Sequence, residues 1–166
     1  MIEIERKYII KMPDIELVRG CDGFTESEIL QIYINSQSGV THRVRRRSFL
    51  SGAVYTETKK QRIDKMSAIE DEREISEKEF NLICENIKTG TRPIIKTRYA
   101  FSYCGQLFEL DVYPEWKRTC ILETELTSRD ETVDFPSFIS VIEEVTGNPD
   151  YSNASMARLF PKERLI

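Results

Sequence analysis

Apolar and polar residues alternate along most of the chain with period 2, the spacing that sends successive side chains to opposite faces of a β-strand. Near the N-terminus, Ile2, Ile4, Tyr8 and Ile10 share one parity while Glu3, Glu5 and Lys7 share the other. Comparable stretches at about 28–35, 41–49, 53–61, 69–75, 92–102, 106–113 and 119–127 bring the total to roughly eight strands, the make-up of a barrel or a large sheet. Three segments break this rhythm. Ser76-Glu77-Lys78-Glu79 is a Ser-x-x-Glu capping box, and Phe80, Ile83, Cys84 and Ile87 then recur at helical spacing until Gly90. Phe135, Phe138, Ile139 and Ile142 predict a second amphipathic helix ending near Gly147, and Ser152 a third, short one running through Met156 and Leu159 before Pro161. Residues 14–19 predict a further helical turn. With no fixed-period repeat, low-complexity tract or Pro/Gly/Ser-rich linker, residues 1–166 read as a single domain.

The polar parity of the strands is almost wholly ionic. Arg43 and Arg45 share the third strand, Lys59 lies on the fourth, Glu70 and Glu72 share the fifth, Lys96 and Arg98 the sixth, Glu109 and Asp111 the seventh, and Glu123 and Glu125 the eighth. Leu110, Val112, Leu122 and Leu126 occupy the opposite parity. A solvated face usually mixes Thr, Ser, Gln and Lys, and any one of these charged pairs alone fits that bland picture. As a set they do not, because most strands are all acidic or all basic, and like charges crowded on one face repel unless something offsets them. The cations suit a polyanion such as a phosphate chain, since guanidinium forks and ammonium groups match phosphate oxygens. The carboxylates suit hard divalent cations, Mg²⁺ or Mn²⁺. Burying so many charges without ligands is costly, so this pattern points to a closed barrel with a wet, charged lumen and an apolar outer face covered by helices. The fold class expected is α+β, mainly β: an eight-stranded antiparallel barrel tunnel with peripheral helices.

Composition narrows the function classes. Of 166 residues, 40% are hydrophobic and 31% charged, with 7 Gly and 6 Pro, which excludes collagen-like and wholly disordered chains. No apolar run approaches the ~18 residues of a membrane span and no signal-peptide stretch opens the chain, so a cytoplasmic protein with no membrane partner is expected. The 4 cysteines, Cys21, Cys84, Cys104 and Cys120, lack Cys-x-x-Cys spacing and are expected to be reduced and mostly buried. A single histidine, His42, excludes multi-histidine metal sites, so any metal is held by carboxylates; its parity, opposite to Arg43 and Arg45, sends it outward. The net charge of −4 argues against nucleic acid as partner but allows a local basic cavity. No Gly-rich phosphate loop is present, so phosphate recognition rests on side chains. Trp116 reads as a turn or rim aromatic.

These residues together resemble the CYTH family, the triphosphate tunnel metalloenzymes. Glu3-Ile4-Glu5-Arg6-Lys7 is similar to the family's N-terminal Glu-x-Glu-x-Lys signature. The ordered series that follows strengthens the likeness: Arg43/Arg45, a lone strand Lys, Glu70/Glu72, Lys96/Arg98, an acidic pair and Glu123/Glu125. Val145-Thr146-Gly147 and the run from Tyr151 to Ala157 look like bacterial members, so the resemblance covers essentially the whole chain. It implies that Lys7, Arg43, Arg45, Lys59, Lys96 and Arg98 grip a triphosphate, and that Glu5, Glu123 and Glu125 bind Mg²⁺ or Mn²⁺ with Glu3 and Glu72 nearby. Lys7, Glu72 and Asp111 are the implied catalytic residues, Glu72 or Asp111 orienting the attacking water. Two positions depart from the family pattern: Ala68 stands where bacterial members commonly carry Arg, and Glu57 stands two residues before Lys59 where Thr is usual. Lys59 is taken as the inward residue, with Lys60 replacing it if a bulge shifts the register.

The function implied is metal-dependent hydrolysis of a triphosphate, inorganic triphosphate first and nucleoside triphosphates second. A class IV type adenylyl cyclase, a thiamine triphosphatase and a non-catalytic polyphosphate-binding module are the competing readings. A homodimer is among the assemblies the sequence leaves open.

Overall fold

A computed structural model describes residues 1–164. Among the described residues there are nine strands: β1 (Ile2–Lys11), β2 (Asp22–Ile34), β3 (Thr41–Phe49), β4 (Gly52–Arg62), β5 (Ser67–Ile75), β6 (Ile94–Tyr103), β7 (Gln106–Val112), β8 (Thr119–Glu125) and β9 (Val141–Glu144). The order β5-β4-β3-β2-β6-β7-β8-β1 is antiparallel throughout and closes through β1 and β5, so the first eight strands form a barrel and β9 is added outside it. Closure leaves few exposed backbone edges.

The edge of β1 that closes the barrel is shared between two partners. Ile2, Glu3 and Ile4 pair with β5, whereas Tyr8, Ile9 and Ile10 pair with β9. Here the sequence expectation is overturned, because no helix spans Phe135 to Ile142. Phe135, Phe138 and Ile139 do pack, partly buried, against the cluster of Tyr8, Phe101 and Phe108, but from an irregular segment. Val141-Ile142-Glu143-Glu144 then extends to satisfy β1's open hydrogen-bonding edge, and this tertiary pairing prevails over a helical period carried partly by β-branched residues.

The remaining helices lie where the caps predict them. In α1 (Ile15–Arg19) the Asp14 side chain accepts from Glu16 N–H; α2 (Glu77–Cys84) begins at the full Ser76/Glu79 capping box; α3 (Asn153–Met156) begins at Ser152. Much of the outward strand surface is apolar. One cluster, with Phe101, Phe108, Leu110 and Leu122, is covered by α1 and the 133–139 segment; another, with Ile34, Val44 and Ile75, is covered by Phe80 of α2.

The inward face is not uniformly charged. At one end the same parity turns apolar: Ile9, Tyr33, Ile94, Tyr113 and Ile121 pack with Trp116, Tyr151 and Met156. Trp116, 4% exposed, donates from Nε1 to the Pro161 carbonyl and stacks edge-on with Tyr113 and Phe160, so it belongs to this plug. The cysteines are free, and only Cys120 is buried. Among the described residues no helix is long and apolar enough to cross a membrane.

Candidate active site

Antiparallel pairing brings the inward charges into register across neighbouring strands. Lys7 lies opposite Glu123 and Glu5 opposite Glu125; Arg98 lies opposite Asp111; Arg45 lies opposite Gln31; Thr58 lies between Arg43 and Glu72. Together they enclose a cavity of about 380 Å³ lined by Glu3, Glu5, Lys7, Arg43, Arg45, Lys60, Glu72, Arg98, Glu123 and Glu125, with Arg47, Arg62, Glu70 and Glu109 also on its wall. The α3 residues Asn153 and Ala154 reach it from the plugged end.

Three of the residues singled out in the sequence do not line this cavity. Lys59 is exposed on the outer surface, because the β3/β4/β5 register turns Thr58 and Lys60 inward and leaves Lys59 between His42 and Asp71. Lys60 takes its place, with Nζ 3.1 Å from Glu3 and 3.0 Å from Glu70. Lys96 and Asp111 lie deeper, toward the apolar plug, both with fully buried side chains and 2.5 Å apart. Both Asp111 oxygens are engaged: Oδ1 accepts from Arg98 Nε at 2.7 Å, and Oδ2 accepts from Arg98 Nη2 at 2.7 Å and from Lys96. Asp111 thus holds both Arg98 and Lys96 from outside the cavity lining. His42, on the outer face as its parity predicts, contacts Glu57 at 2.8 Å.

Arg98 continues the ionic wall. Its Nη1 donates to Glu109, its Nη2 reaches Glu123 at 3.2 Å, and Lys7 Nζ lies 2.7 Å from the other Glu123 oxygen. Burial works against charge here, but Arg98 and Lys96 outweigh it and hold the Asp111 carboxyl below its usual range; Lys7 and Arg98 do the same for Glu123. Burial pushes the Lys96 ammonium down to about 8, against the pull of Asp111.

The opposite wall is differently made. Arg45 donates from Nε and Nη2 to the amide oxygen of Gln31, at 3.1 and 3.0 Å, and Gln31 is itself fixed by a 2.6 Å bond to the Tyr33 hydroxyl. Arg47 donates to the Ser27 hydroxyl at 2.8 Å and lies over the Phe49 ring. Among the described residues neither has a carboxylate partner, whereas Arg43 meets Glu70 at 2.9 Å. Burial, followed by repulsion from Arg43 and Arg98, lowers the Arg45 guanidinium to about 10. Arg47 was legible as the next residue of the Arg43/Arg45 parity, and Arg62 as the next of the Lys60 parity once the register is known.

The carboxylates sort by partner as well. Glu3 is engaged by Lys60 and Glu123 by Lys7 and Arg98, while Glu5 and Glu125 face one another across the β1/β8 ladder with no ion pair among the described residues. Glu72 accepts a 2.7 Å bond from the Thr58 hydroxyl. Among the described residues no three carboxylates, histidines or cysteines are drawn together as a ready ligand set. The chemistry of the donors nonetheless fits a hard divalent cation: two adjacent, unneutralised carboxylates repel until a cation sits between them. Burial raises the Glu3 carboxyl to about 7, aided by its hydrogen bond to Glu70; Glu70 is held below its ordinary value because Arg43 and Lys60 outweigh its own burial.

No protein-family model matches the chain, and no curated protein sequence does. Solved structures do. The inorganic triphosphatase NE1496 is 28% identical, with 96% of each chain covered and a TM-score of 0.60. The candidate adenylate cyclase bh2851 from Bacillus halodurans is 19% identical over 77% of this chain and 82% of its own, with a TM-score of 0.53. HpAC1 from Hippeastrum, a candidate adenylyl cyclase that reveals a dominant triphosphatase activity, is 13% identical over 75% of this chain and 80% of its own, with a TM-score of 0.51. The last two show a shared barrel fold alone. These structural neighbours are consistent with the CYTH family that the sequence resembles.

Proposed function

We propose that this charged barrel is a divalent-metal-dependent triphosphatase that converts inorganic triphosphate to pyrophosphate and orthophosphate. The observation that carries this reading is the pair Arg45 and Arg47, cations on the lumen wall whose protein partners are neutral, facing carboxylates across a cavity of about 380 Å³. The 28% identical NE1496, an inorganic triphosphatase, supports it. Arg43, Arg45, Arg47 and Arg98 grip the phosphate chain, because their N–H donors match phosphate oxygens and spread the anionic charge over several strands. Lys7, held between Glu123 and the Tyr151 carbonyl, adds an ammonium near Glu5 and Glu125. Mg²⁺ or Mn²⁺ would be held by Glu5 and Glu125, with Glu3 and Glu123 as further oxygen donors, and would supply charge neutralisation at the phosphoryl group being transferred. Glu72, with one oxygen fixed by Thr58, is the carboxylate open to the lumen that orients the attacking water.

The test is a panel of inorganic triphosphate, ATP, GTP and thiamine triphosphate with Mg²⁺ or Mn²⁺, following orthophosphate, pyrophosphate and cyclic nucleotide. The highest kcat/KM is expected for inorganic triphosphate, with ATP and GTP slower and within about tenfold of each other, since no shaped base pocket is needed by a grip that reads anionic oxygens. Activity should vanish on chelation. ATP favoured a hundredfold or more, or cyclic AMP as the main product, would replace the proposal with a cyclase.

A further inference from the structure

The barrel wall is thin at one place. Between Ile4, the last residue of β1 paired to β5, and Tyr8, the first paired to β9, the β1 edge is satisfied by loops: Glu5 N–H donates to the Met66 carbonyl at 3.1 Å and Lys7 N–H to the Thr146 hydroxyl at 3.0 Å. A second cavity of about 140 Å³ opens at this break and shares Glu5, Lys7, Arg62 and Ser152 with the main one. The two are therefore adjacent, separated by no more than these shared side chains at the side of the barrel.

Its lining sets three cations, Lys7, Arg62 and Lys65, against one carboxylate, Glu5, a net positive charge suited to a small anion. Arg62 and Lys65 stand on the β4–β5 side, and Thr146, Gly147 and Asn148 on the other. Arg62 lies directly across the ladder from Ala68, whose small side chain leaves the guanidinium room. Arg62 Nη1 donates to the carbonyls of Asp64 and Lys65, both at 3.2 Å, which pins the fork over its own turn, and it makes no carboxylate pair among the described residues. Lys65 likewise has no ion pair among the described residues. The cavity is narrow because the two turns touch. Gly147 has φ +70°, and a Cβ placed there would lie 2.7 Å from Lys65 Cβ and 2.9 Å from the Lys65 carbonyl oxygen.

We propose that this lateral cavity is an orthophosphate subsite, the position through which the single-phosphate product leaves the lumen. The inference rests on the triphosphatase reading for its role in turnover, but not for the binding itself. The shape and charge select the smaller product: one tetrahedral oxyanion fits between Arg62, Lys65 and Lys7, whereas pyrophosphate needs the longer row of arginines in the main cavity. Of these two cavities Lys65 lines the lateral one alone, so it separates the two sites.

The experiment measures orthophosphate and pyrophosphate binding to the substrate-free full-length protein by calorimetry, for wild type, Lys65→Ala and Lys65→Glu, and then product inhibition of tripolyphosphate hydrolysis. Lys65→Glu should weaken orthophosphate binding tenfold or more and Lys65→Ala severalfold, with pyrophosphate binding and kcat/KM for tripolyphosphate within twofold of wild type. Unchanged orthophosphate affinity in Lys65→Glu, an equal loss for pyrophosphate, or no orthophosphate binding by the wild type would overturn the subsite. A protein that binds orthophosphate through Lys65 yet fails to hydrolyse tripolyphosphate would retain the subsite and overturn the triphosphatase reading instead.

Discussion

The two walls of the lumen use the same residue types for opposite ends. On β6, β7, β8 and β1, every cation has a carboxylate: Lys96 with Asp111, Arg98 with Asp111, Glu109 and Glu123, Lys7 with Glu123. On β2 and β3, Arg45 and Arg47 lean on an amide and a hydroxyl. Proton affinity differs between the two walls, while Arg98 and Arg45 both stay charged at neutral pH. Arg98 is raised well above its ordinary value, its carboxylates overcoming burial, whereas Arg45 is lowered to about 10. A complete ionic network fixes geometry before any ligand arrives, and an incomplete one leaves positive charge that a ligand must supply the counterpart for. In the proposed reading the first wall is the scaffold, fixed by its own ion pairs so that Arg98 and Lys7 meet the ligand already oriented, and the second carries the unneutralised part of the grip.

The contrast is broken most severely at Asp111. Asp111→Asn removes the charge that holds Lys96 and Arg98 in a dry environment, and loss of about 3–5 kcal/mol of unfolding free energy is expected by denaturant titration. Loss within 1 kcal/mol would mean that the first wall is no scaffold. For Arg45→Gln the effect should fall on binding instead: about ten- to hundredfold weaker tripolyphosphate affinity, with stability unchanged or raised, because a repelling member of the Arg43/Arg45/Arg98 cluster is gone. Arg98→Ala, by comparison, should lower both, since it leaves Glu109 without an ion pair and takes two of the three donors from Asp111.

Smaller changes sharpen the boundary of the grip. Lys60→Ala should weaken tripolyphosphate binding severalfold, while Lys59→Ala on the outer face should leave it alone; the reverse result would mean that β4 pairs one residue out of register. The smallest effect concerns Glu3. Its folded pKa of about 7 exceeds the ordinary 4.5, so between those values the folded state binds the extra proton and Glu3's contribution to stability falls as pH rises. Glu3→Gln should therefore gain on wild type in melting temperature between pH 5 and pH 8. A difference that does not vary with pH would show that Glu3 titrates normally.

Parity made most of the lumen legible in the sequence. Glu3, Glu5, Lys7, Arg43, Arg45, Glu72, Arg98, Glu123 and Glu125 all line one cavity because a strand's alternation is local. What parity lacks is depth and register. Lys96 and Arg98 are indistinguishable as an alternating pair, yet Lys96 lies next to the Tyr113 ring, 5.7 Å from its centroid, fully buried at the apolar end and outside the cavity lining. The Lys59-Lys60 doublet puts one cation on each face whatever the register, so only the pairing of Thr58 with Arg43 and Glu72 decides between them. The 135–142 segment carried a helical period, and the unmet edge of β1, a long-range demand, turned its second half into β9. The plug itself left a readable trace: Glu3-Glu5-Lys7 continues to Ile9, and Glu125-Glu123 continues back to Ile121, apolar residues on the charged parity.

The most direct measurement is thermal unfolding of wild type and Arg45→Gln with and without tripolyphosphate. The expected result is a ligand-induced rise in melting temperature for wild type that is largely lost in Arg45→Gln, whose ligand-free melting temperature is equal or higher. A rise of the same size in Arg45→Gln, or a ligand-free protein markedly less stable than wild type, would contradict the assignment of the β2–β3 wall as the triphosphate grip.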